Sequence, residues 1–454
     1  MAAVAGRRDR LGNEALLRDH LTEESLRRIA LFAALATIAL AAHAQLNETE
    51  QRIVAAVKSR MPQAVELLER SVRINSGSLN PDGVREVGKV FRAEFDALGF
   101  KTRWVDMPPE MQRGGHLVAE REGTRGKRLL LLGHMDTVFE KDSSVALWER
   151  RGDRVRGQGV GDMKGGNVVM IEALRALQAV GVLDGARIAV MLTGDEERVG
   201  RPIERSRAPM VELAKRSDAA LSFEGGPPLG HVQGASISRR SNGGWTLTVR
   251  ARPGHSSRVF TPALGYGAVY EGARILNAFR EQLVEPNLTF NVGVMLAGTN
   301  VSYDDATATG TAFGKGNVIP RDLTVRGDMR YLTPEQGERA RQRMRAIVAA
   351  NLPGTTATIT FSETYPPMPP TEAGMELLRQ YSRASEDLGL GGFVAGDPAS
   401  RGAGDIQFVA PYIPGIDSLG VAGNGAHTDD EDMEIASIER AAVRAALFIY
   451  RLTR

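Results

Sequence analysis

The stretch Leu129-Leu-Leu-Leu-Gly-His134-Met-Asp136-Thr-Val138 decides the expected fold, because an apolar run stops there at a His-x-Asp triplet. Four consecutive leucines after a basic pair predict a strand that is buried on both faces of a sheet. Residues i and i+2 of a strand point to the same side, so His134 and Asp136 share one face at the sheet edge where α/β proteins keep their sites. A carboxylate in that position can orient a metal-ligating histidine. Taken alone, such a triplet is more often an incidental polar pair at a strand end.

Three more segments place acidic residues at the end of an element. Asp162 lies in the glycine-rich turn Gly157–Gly166, where a dinucleotide-binding fingerprint would need glycine instead. This turn is also compatible with Asp162 acting only as a helix cap. The apolar strand Ala186–Thr193 runs into Gly194-Asp195-Glu196-Glu197, and the strand Ala219–Phe223 ends at Glu224. Adjacent like charges at a sheet edge are costly unless a cation or a proton lies among them, although a solvated acidic loop is the alternative.

From about Ala235 onward, the sequence pattern changes to one that predicts alternating strands. Strand, helix, two strands, helix, strand is a ferredoxin-like order, which predicts a small inserted α+β domain. His255 follows its first strand, where a loop histidine is more often incidental. Beyond Pro366–Pro370 the chain resumes helical spacing, and it later gives the turn Ser400-Arg401-Gly402-Ala-Gly404-Asp405, a strand over Ile416–Val421, and His427.

Composition bounds the class of protein. The 454 residues predict two domains, and 42% hydrophobic with 25% charged residues is ordinary for a globular protein. The formal charge is only +2, which argues against a nucleic-acid partner or a polybasic membrane surface. The chain has no cysteine, so disulfides, thiolate ligands and cysteine nucleophiles are excluded.

The first 44 residues have the three parts of a secretory signal: Arg27-Arg28, the apolar run Ile29–Ala42, and Ala42-His43-Ala44. The apolar run is short for a membrane span. We therefore expect residues 1–44 to be a signal peptide and the mature chain to begin at Gln45. The protein would then be secreted or periplasmic, with no stable membrane span after cleavage. The long polar segment before Arg27 is unusual for such a signal, and two alternatives explain it: a mis-set start codon upstream, or an anchor that is not cleaved.

Carboxylate and imidazole donors without thiolate suit Zn²⁺, with Co²⁺ or Mn²⁺ as substitutes, and two metals would need a bridging carboxylate. The ordered set of motifs strongly resembles the M20 metallopeptidases, and is most similar to their glutamate carboxypeptidase branch. The motifs that carry this resemblance are His134-x-Asp136, Asp162-Met-Lys-Gly-Gly, Glu196-Glu197, Glu224 and His427.

The resemblance implies a fold and a set of residue roles. It implies an α/β fold with a mixed-sheet zinc-peptidase catalytic domain (residues 45–236 and 364–454) and an inserted ferredoxin-like lid and dimerisation domain (residues 237–363). One Zn²⁺ would be held by His134, Asp162 and Glu224, and the other by Asp162, Glu197 and His427, so that Asp162 bridges them. Asp136 would orient His134, and Glu196 would be the general base. The other implied residues are His255, which would stabilise the oxyanion in the partner subunit, and the substrate-binding candidates Asn317, Arg330, Arg401, Gly402 and Gly404.

The expected function is an exported di-zinc carboxypeptidase that hydrolyses an amide bond to release a C-terminal amino acid. Its substrate would be a small peptide, and its oligomer a homodimer through the lid domain. A further arginine of the branch has no counterpart near Tyr365-Pro-Pro367, so the residues do not fix glutamate as the released amino acid. An N-acyl-amino-acid amidohydrolase on the same scaffold is the alternative. A non-catalytic metal or peptide binder is a remote one, because it would leave Glu196 without a role.

Overall fold

The computed structural model describes residues 46–226, 232–305 and 307–454. The predicted signal peptide, residues 1–44, lies outside the described residues. Within these ranges, no helix has both the length and the hydrophobicity to cross a bilayer. The α-helices are α1 (Glu48–Ser59), α2 (Met61–Val72), α3 (Pro81–Ala97), α4 (Gly165–Ala179), α5 (Ile203–Ala214), α6 (Ala268–Gln282), α7 (Pro334–Ala349), α8 (Glu372–Asp387) and α9 (Ala436–Thr453).

A six-stranded mixed sheet forms the centre of the larger part of the fold. Its order is β1-β2-β6-β3-β7-β17, in which β3 runs parallel to β6 and β7 while β1 and β2 are antiparallel additions at one edge. Leu131 of β3 pairs with Val190 on one side and Leu221 on the other. The strands are β1 (Lys101–Val105), β2 (His116–Arg121), β3 (Arg125–His134), β6 (Ala186–Thr193), β7 (Ala219–Ser222) and β17 (Gly415–Ile416).

Helices cover both faces of this sheet. Leu130 and Leu132 of β3 pack in one core cluster with Met210 and Leu213 of α5, and α9 contacts β3 and α4. All four leucines at 129–132 are fully buried. The prediction of a strand buried on both faces is therefore confirmed, and the two parallel neighbours of β3 bring three strand ends to one edge.

A second sheet carries the inserted region. Its order is β10-β14-β9-β15, with β11 also paired to β14, and all of these pairings are antiparallel. Helices α6 and α7 pack against this sheet around a separate core that includes Trp245, Leu247, Phe279 and Met344. The strands are β9 (Asn242–Ala251), β10 (Thr289–Phe290), β11 (Val294–Gly298), β14 (Asp322–Arg330) and β15 (Thr355–Tyr365).

Three small sheets complete the described structure. The sheet β18-β19-β5-β4 joins the chain before α4 to the chain before α9, β8 pairs with β16, and the hairpin β12–β13 was not predicted. The strands are β4 (Glu149–Arg151), β5 (Arg154–Arg156), β8 (Val232–Ala235), β12 (Asn300–Asp304), β13 (Thr309–Phe313), β16 (Gly392–Ala395), β18 (Gly423–Asn424) and β19 (Asp432–Glu434).

The predicted mixed α/β fold with an inserted α+β region is confirmed, and the elements differ in detail. Helix α6 begins at Ala268 rather than near Pro262, because Gly265 and Gly267 adopt positive φ and hold the preceding segment as a loop. The predicted strand Ile416–Val421 is only Gly415–Ile416, because Ser418 has a φ of +76° and interrupts the extended backbone.

Candidate metal centre

His134 stands at the end of β3 and faces two carboxylates. Its Nε2 lies 3.0 Å from Oδ1 of Asp162 and 3.5 Å from Oε1 of Glu224. Glu224 follows β7, the strand that runs parallel to β3, so that the ends of the two strands deliver these groups to one edge of the sheet. His134, Asp162 and Glu224 thus form one group of nitrogen and oxygen donors.

His427 faces a second group on the other side of Asp162. Its Nε2 lies 3.1 Å from Oδ2 of Asp162 and 3.0 Å from Oε2 of Glu197. The two carboxylate oxygens of Asp162 therefore point to different histidines. Donor atoms of His134, Asp162 and Glu197 all lie within 4.8 Å of one another. This is the arrangement in which a carboxylate can be shared between two metal ions.

The turn that carries Asp162 is held close to the sheet by glycine. A Cβ on Gly166, in the first turn of α4, would collide with the carbonyl oxygen of Phe223, the residue before Glu224. Glycine at this position lets the backbone approach the end of β7. Helix α4 begins at Gly165, with Lys164 before it, so Asp162 is not the cap of this helix. Its carboxylate is directed instead to the histidines.

Asp136 organises the loop that follows β6. Its Oδ1 and Oδ2 accept hydrogen bonds from the backbone N–H groups of Glu196 and Glu197, both at 3.0 Å, and Ser78 Oγ donates to Oδ2 at 2.6 Å. Nδ1 of His134 lies 3.0 Å from the carbonyl oxygen of Asp136 and 3.5 Å from its Oδ1. Asp136 thus holds the histidine through its backbone carbonyl and the backbone of both glutamates through its carboxylate.

The electrostatics of this cluster favour positive charge beside its carboxylates. Burial and the charge of Asp162 raise the pKa of Glu224 to about 8. Burial also raises the pKa of Glu196 well above its ordinary value, and the carboxylates nearby add to that rise. Hydrogen bonds with Asp162 and Glu197 raise the pKa of His427 to about 11. Crowded carboxylates of this kind are stabilised by a bound divalent ion, and the oxygen and nitrogen donors fit Zn²⁺.

A cavity of about 310 Å³ opens onto the cluster, and Glu196, Glu224, His427, Arg401 and Gly402 are among the residues that line it. Nη2 of Arg401 donates to the carbonyl oxygen of Gly225 and, at 2.6 Å, to Oγ of Ser418. The carbonyl oxygen of Gly402 accepts a hydrogen bond from Nη1 of Arg239 at 2.6 Å. Gly404, the third predicted residue of this turn, lies outside the cavity lining and donates its N–H to Oε1 of Gln407 at 2.8 Å.

The three predicted residues of the inserted region lie apart from this cavity. In the part of the chain that the structure describes, none of them is among the residues that line it. His255 is exposed and lies 2.8 Å from Oγ of Ser257 through Nδ1. The carbonyl oxygen of Asn317 accepts from the N–H of Ser256 at 2.9 Å, and Nε of Arg330 donates to Asp328 at 3.2 Å. The single chain does not bring these residues to the metal ligands.

Two supports of the site were missed in the sequence. The carboxylate of Glu431 accepts hydrogen bonds from three backbone N–H groups of the turn that presents Asp162. The Tyr365 hydroxyl donates to the carbonyl oxygen of Glu196 at 3.0 Å. Glu431 lies in the acidic run Asp429–Asp432 and Tyr365 at the end of β15, and neither has a local motif that would have identified it.

A buried ionic network behind Glu196 was also missed. Arg207 of α5 contacts Asp195 at 2.5 Å and Asp405 at 2.7 Å, and all three side chains are at least 95% buried, with exposed fractions of 1%, 0% and 5%. Thr193 donates a further hydrogen bond to Asp405 at 2.6 Å. The network ties the end of β6 to the segment that follows Gly404.

Comparison with known proteins identifies the family. The model of peptidase family M20/M25/M40 matches residues 130–451, which is more than half of the chain. The chain is 29% identical over 437 residues to carboxypeptidase G2 of Pseudomonas sp. (strain RS-16), an alignment that covers 94% of this chain and 98% of the relative. It is 26% identical to a succinyl-diaminopimelate desuccinylase of Gluconobacter oxydans (strain 621H), with 76% of this chain and 86% of the relative covered.

A solved structure shares the fold. A dinuclear metal binding peptidase of the M20 family from Bacillus subtilis superposes with a TM-score of 0.61 at 14% identity, covering 87% of this chain and 99% of that one. The extent of the family match, together with these relatives, shows that the chain belongs to peptidase family M20/M25/M40 and is a metal-binding hydrolase.

Proposed function

We propose that the protein is an exported dinuclear zinc carboxypeptidase that hydrolyses an amide bond and releases a C-terminal amino acid. The observation that carries this proposal is the position of Asp162, whose two carboxylate oxygens lie 3.0 and 3.1 Å from the Nε2 atoms of two different histidines. A carboxylate between two donor groups is what a pair of metal ions requires. The similarity to carboxypeptidase G2 supports the choice of reaction.

The donors divide into two sets around Asp162. In this proposal His134, Asp162 and Glu224 hold one Zn²⁺, while Asp162, Glu197 and His427 hold the other. Bound Zn²⁺ would supply Lewis acidity, which polarises the scissile carbonyl and makes a water molecule acidic near neutral pH. Co²⁺ and Mn²⁺ are possible substitutes, since they accept the same donors.

Glu196 is proposed as the general base. No hydrogen bond or ion pair of its carboxylate occurs among the described residues, whereas the neighbouring Glu197 contacts His427. Its carboxylate lines the cavity, so it can take a proton from the attacking water and deliver it to the nitrogen of the leaving amine. Asp136 positions this group through the backbone N–H of Glu196.

Recognition of the substrate is assigned to two regions. In this proposal residues 45–236 and 364–454 form the catalytic domain, and residues 237–363 form a lid that also joins two subunits in a homodimer. His255 would reach the active site of the partner subunit and stabilise the oxyanion there. Asn317 and Arg330 would face the C-terminal part of the substrate. Arg401 and Gly402, which line the cavity, would bind the substrate next to Glu224, and Gly404 would contribute through the turn that it shares with them.

The alternative is an N-acyl-amino-acid amidohydrolase, and the similarity to succinyl-diaminopimelate desuccinylases favours keeping it. Both reactions cleave an amide bond with the same residues. They differ in whether an aminoacyl or a simple acyl group is removed. A non-catalytic metal or peptide binder is a remote alternative, because it leaves the half-buried Glu196, whose carboxylate has no partner among the described residues, without a role.

Export remains part of the proposal and is supported by the basic, apolar and Ala-x-Ala segments of residues 27–44. Sequencing the N-terminus of exported protein should give a start at Gln45. A start at or near Met1 in the exported fraction would contradict it.

A release assay tests the reaction itself. Protein loaded with Zn²⁺ is incubated with a panel of dipeptides and N-acyl amino acids, and free amino acid is measured. Faster release from dipeptides than from matched N-acyl amino acids supports the carboxypeptidase, and the reverse order supports the amidohydrolase. Absence of release from the whole panel by protein that holds its metal would overturn both.

A further inference from the structure

The carboxylate of Glu431 joins two parts of the candidate metal centre that are far apart in the sequence. Its Oε1 accepts hydrogen bonds from the N–H groups of Gly161 at 2.8 Å and Asp162 at 2.9 Å, and its Oε2 accepts from Gly159 at 3.2 Å. The backbone carbonyl of Glu431 accepts a fourth hydrogen bond from the N–H of Gly157 at 3.2 Å. The whole turn that presents Asp162 is thus bound to one residue.

The chain segment that precedes Glu431 carries His427. Two hydrogen-bonded turns connect them, from Thr428 N–H to the Gly425 carbonyl at 2.9 Å and from Glu431 N–H to the Thr428 carbonyl at 3.2 Å. Immediately after Glu431, β19 pairs with β5, with Asp432 opposite Arg156. The segment that carries His427 and the turn that carries Asp162 are therefore fixed to each other at Glu431.

Because Glu431 is buried, its carboxylate depends on these hydrogen bonds. Glu431 is only 1% exposed, and a buried carboxylate is costly unless hydrogen bonds satisfy its oxygens. Three N–H donors from one turn do so only when that turn has its present conformation. The carboxylate therefore selects the conformation in which Asp162 lies between His134 and His427.

We propose that Glu431 is a positioning residue of the metal centre, which sets the distance between the bridging carboxylate of Asp162 and the imidazole of His427. This inference rests on the proposed metal centre and not on the identity of the substrate. Glu431 does not act on the substrate in this role. Residues that hold metal ligands in place commonly contribute roughly 10–100-fold to metal affinity.

The substitution Glu431→Gln tests the proposal with almost no change in shape. One oxygen can still accept from Gly161 and Asp162, but the amide nitrogen then faces the N–H of Gly159, donor against donor. The control is Asp430→Asn, which removes the same charge at the neighbouring position. The side chain of Asp430 is 89% exposed and forms a surface ion pair with Arg156 at 3.2 Å. Metal-free protein is titrated with Zn²⁺ against a chromophoric chelator, and its thermal unfolding is measured separately.

We expect Glu431→Gln to weaken Zn²⁺ binding by about 10–100-fold and Asp430→Asn to bind as wild type does. Wild-type affinity in Glu431→Gln would overturn the proposal, and so would a lowered Tm of the metal-free protein with unchanged affinity, since that marks a purely structural role. If Glu431→Gln does not fold, Glu431→Asp is used instead, because it keeps the charge but withdraws the carboxylate oxygens by one methylene. Unchanged Zn²⁺ affinity in Glu431→Asp would refute the positioning role.

Failure of this inference is distinguishable from failure of the proposed function. Wild-type protein that binds Zn²⁺ and hydrolyses no amide defeats the proposed reaction and leaves the Zn²⁺ titration to decide on Glu431. Wild-type protein that binds no Zn²⁺ overturns both, because there is then no centre to position.

Discussion

The adjacent residues Glu196 and Glu197 should fail in different ways when each is changed to glutamine. Both backbone N–H groups donate to Asp136 at 3.0 Å, so the two variants keep the same backbone anchor. Only Glu197 contacts a histidine, with Oε2 at 3.0 Å from His427 Nε2. We therefore expect Glu197→Gln to lose metal and Glu196→Gln to keep it.

The size of the effect follows from the proposed proton transfer. General acid and base groups contribute about 10²–10⁴-fold to rate, which corresponds to roughly 3–5 kcal/mol of activation free energy at about 1.4 kcal/mol for each factor of ten. Glu196→Gln removes the base while the donors of both metal groups remain. Its kcat should fall by about 10²–10⁴-fold, with Zn²⁺ content and unfolding midpoint equal to those of wild type.

Three measurements on each variant give the comparison: kcat for amino acid release, Zn²⁺ content after dialysis, and the midpoint of thermal unfolding. Glu197→Gln is the matched control, since it makes the same chemical change one residue away. Loss of Zn²⁺ from Glu196→Gln, or near-native turnover by it, would refute the assignment of base and ligand.

Three further predictions concern the supports of the centre and the metal itself. Asp136→Asn replaces one of two acceptor oxygens with a donor, so Zn²⁺ affinity should fall by about 10–100-fold, and equal affinity in a Zn²⁺ titration would contradict the role of Asp136. Arg207→Met leaves Asp195 and Asp405 buried without their partner, so the free energy of unfolding in urea should fall by about 3–5 kcal/mol, whereas Arg205→Met, at a side chain 63% exposed, should change it little. Treatment with a chelator should abolish activity, and added Zn²⁺ should restore it. Elemental analysis of untreated protein should give two metals per subunit, and one metal in fully active protein would argue against a bridging Asp162.

The clustering of three candidate donors could be predicted because one rule of the fold brings them together. Parallel strands present their carboxyl ends at one edge, and His134, Glu197 and Glu224 follow three neighbouring strands. The apolar runs before them are strong enough to be recognised without a structure. His116, a histidine inside β2, is fully buried and lies 3.0 Å from the carbonyl oxygen of Ser206, so it packs within the sheet.

The inserted region was less predictable from its residues. Its strand and helix order was recognised, but the hairpin β12–β13 was not, and the segment before it forms the two short strands β10 and β11. Short and partly exposed strands lack the apolar runs that identify β3 and β6. His255, Asn317 and Arg330 stay predictions for a related reason, since their proposed roles need a second subunit or a different position of the lid.

The different environments of the four acids in Asp429-Asp430-Glu431-Asp432 could not be predicted from the local sequence. The four residues have the same charge and similar size, yet Asp430 is 89% exposed, Glu431 is 1% exposed and Asp432 forms an ion pair with Arg154. What separates them is the pairing of β19 with β5, two segments that lie far apart in the sequence. That pairing turns the side chain of Glu431 toward the backbone of the Asp162 turn and leaves Asp430 on the surface, where it pairs with Arg156. A metal ligand can thus be inferred from the strand it follows, whereas the residue that holds the ligand in place is defined only by the tertiary contact, and for this reason Glu431 and Asp430 make the sharper test of how the centre is built.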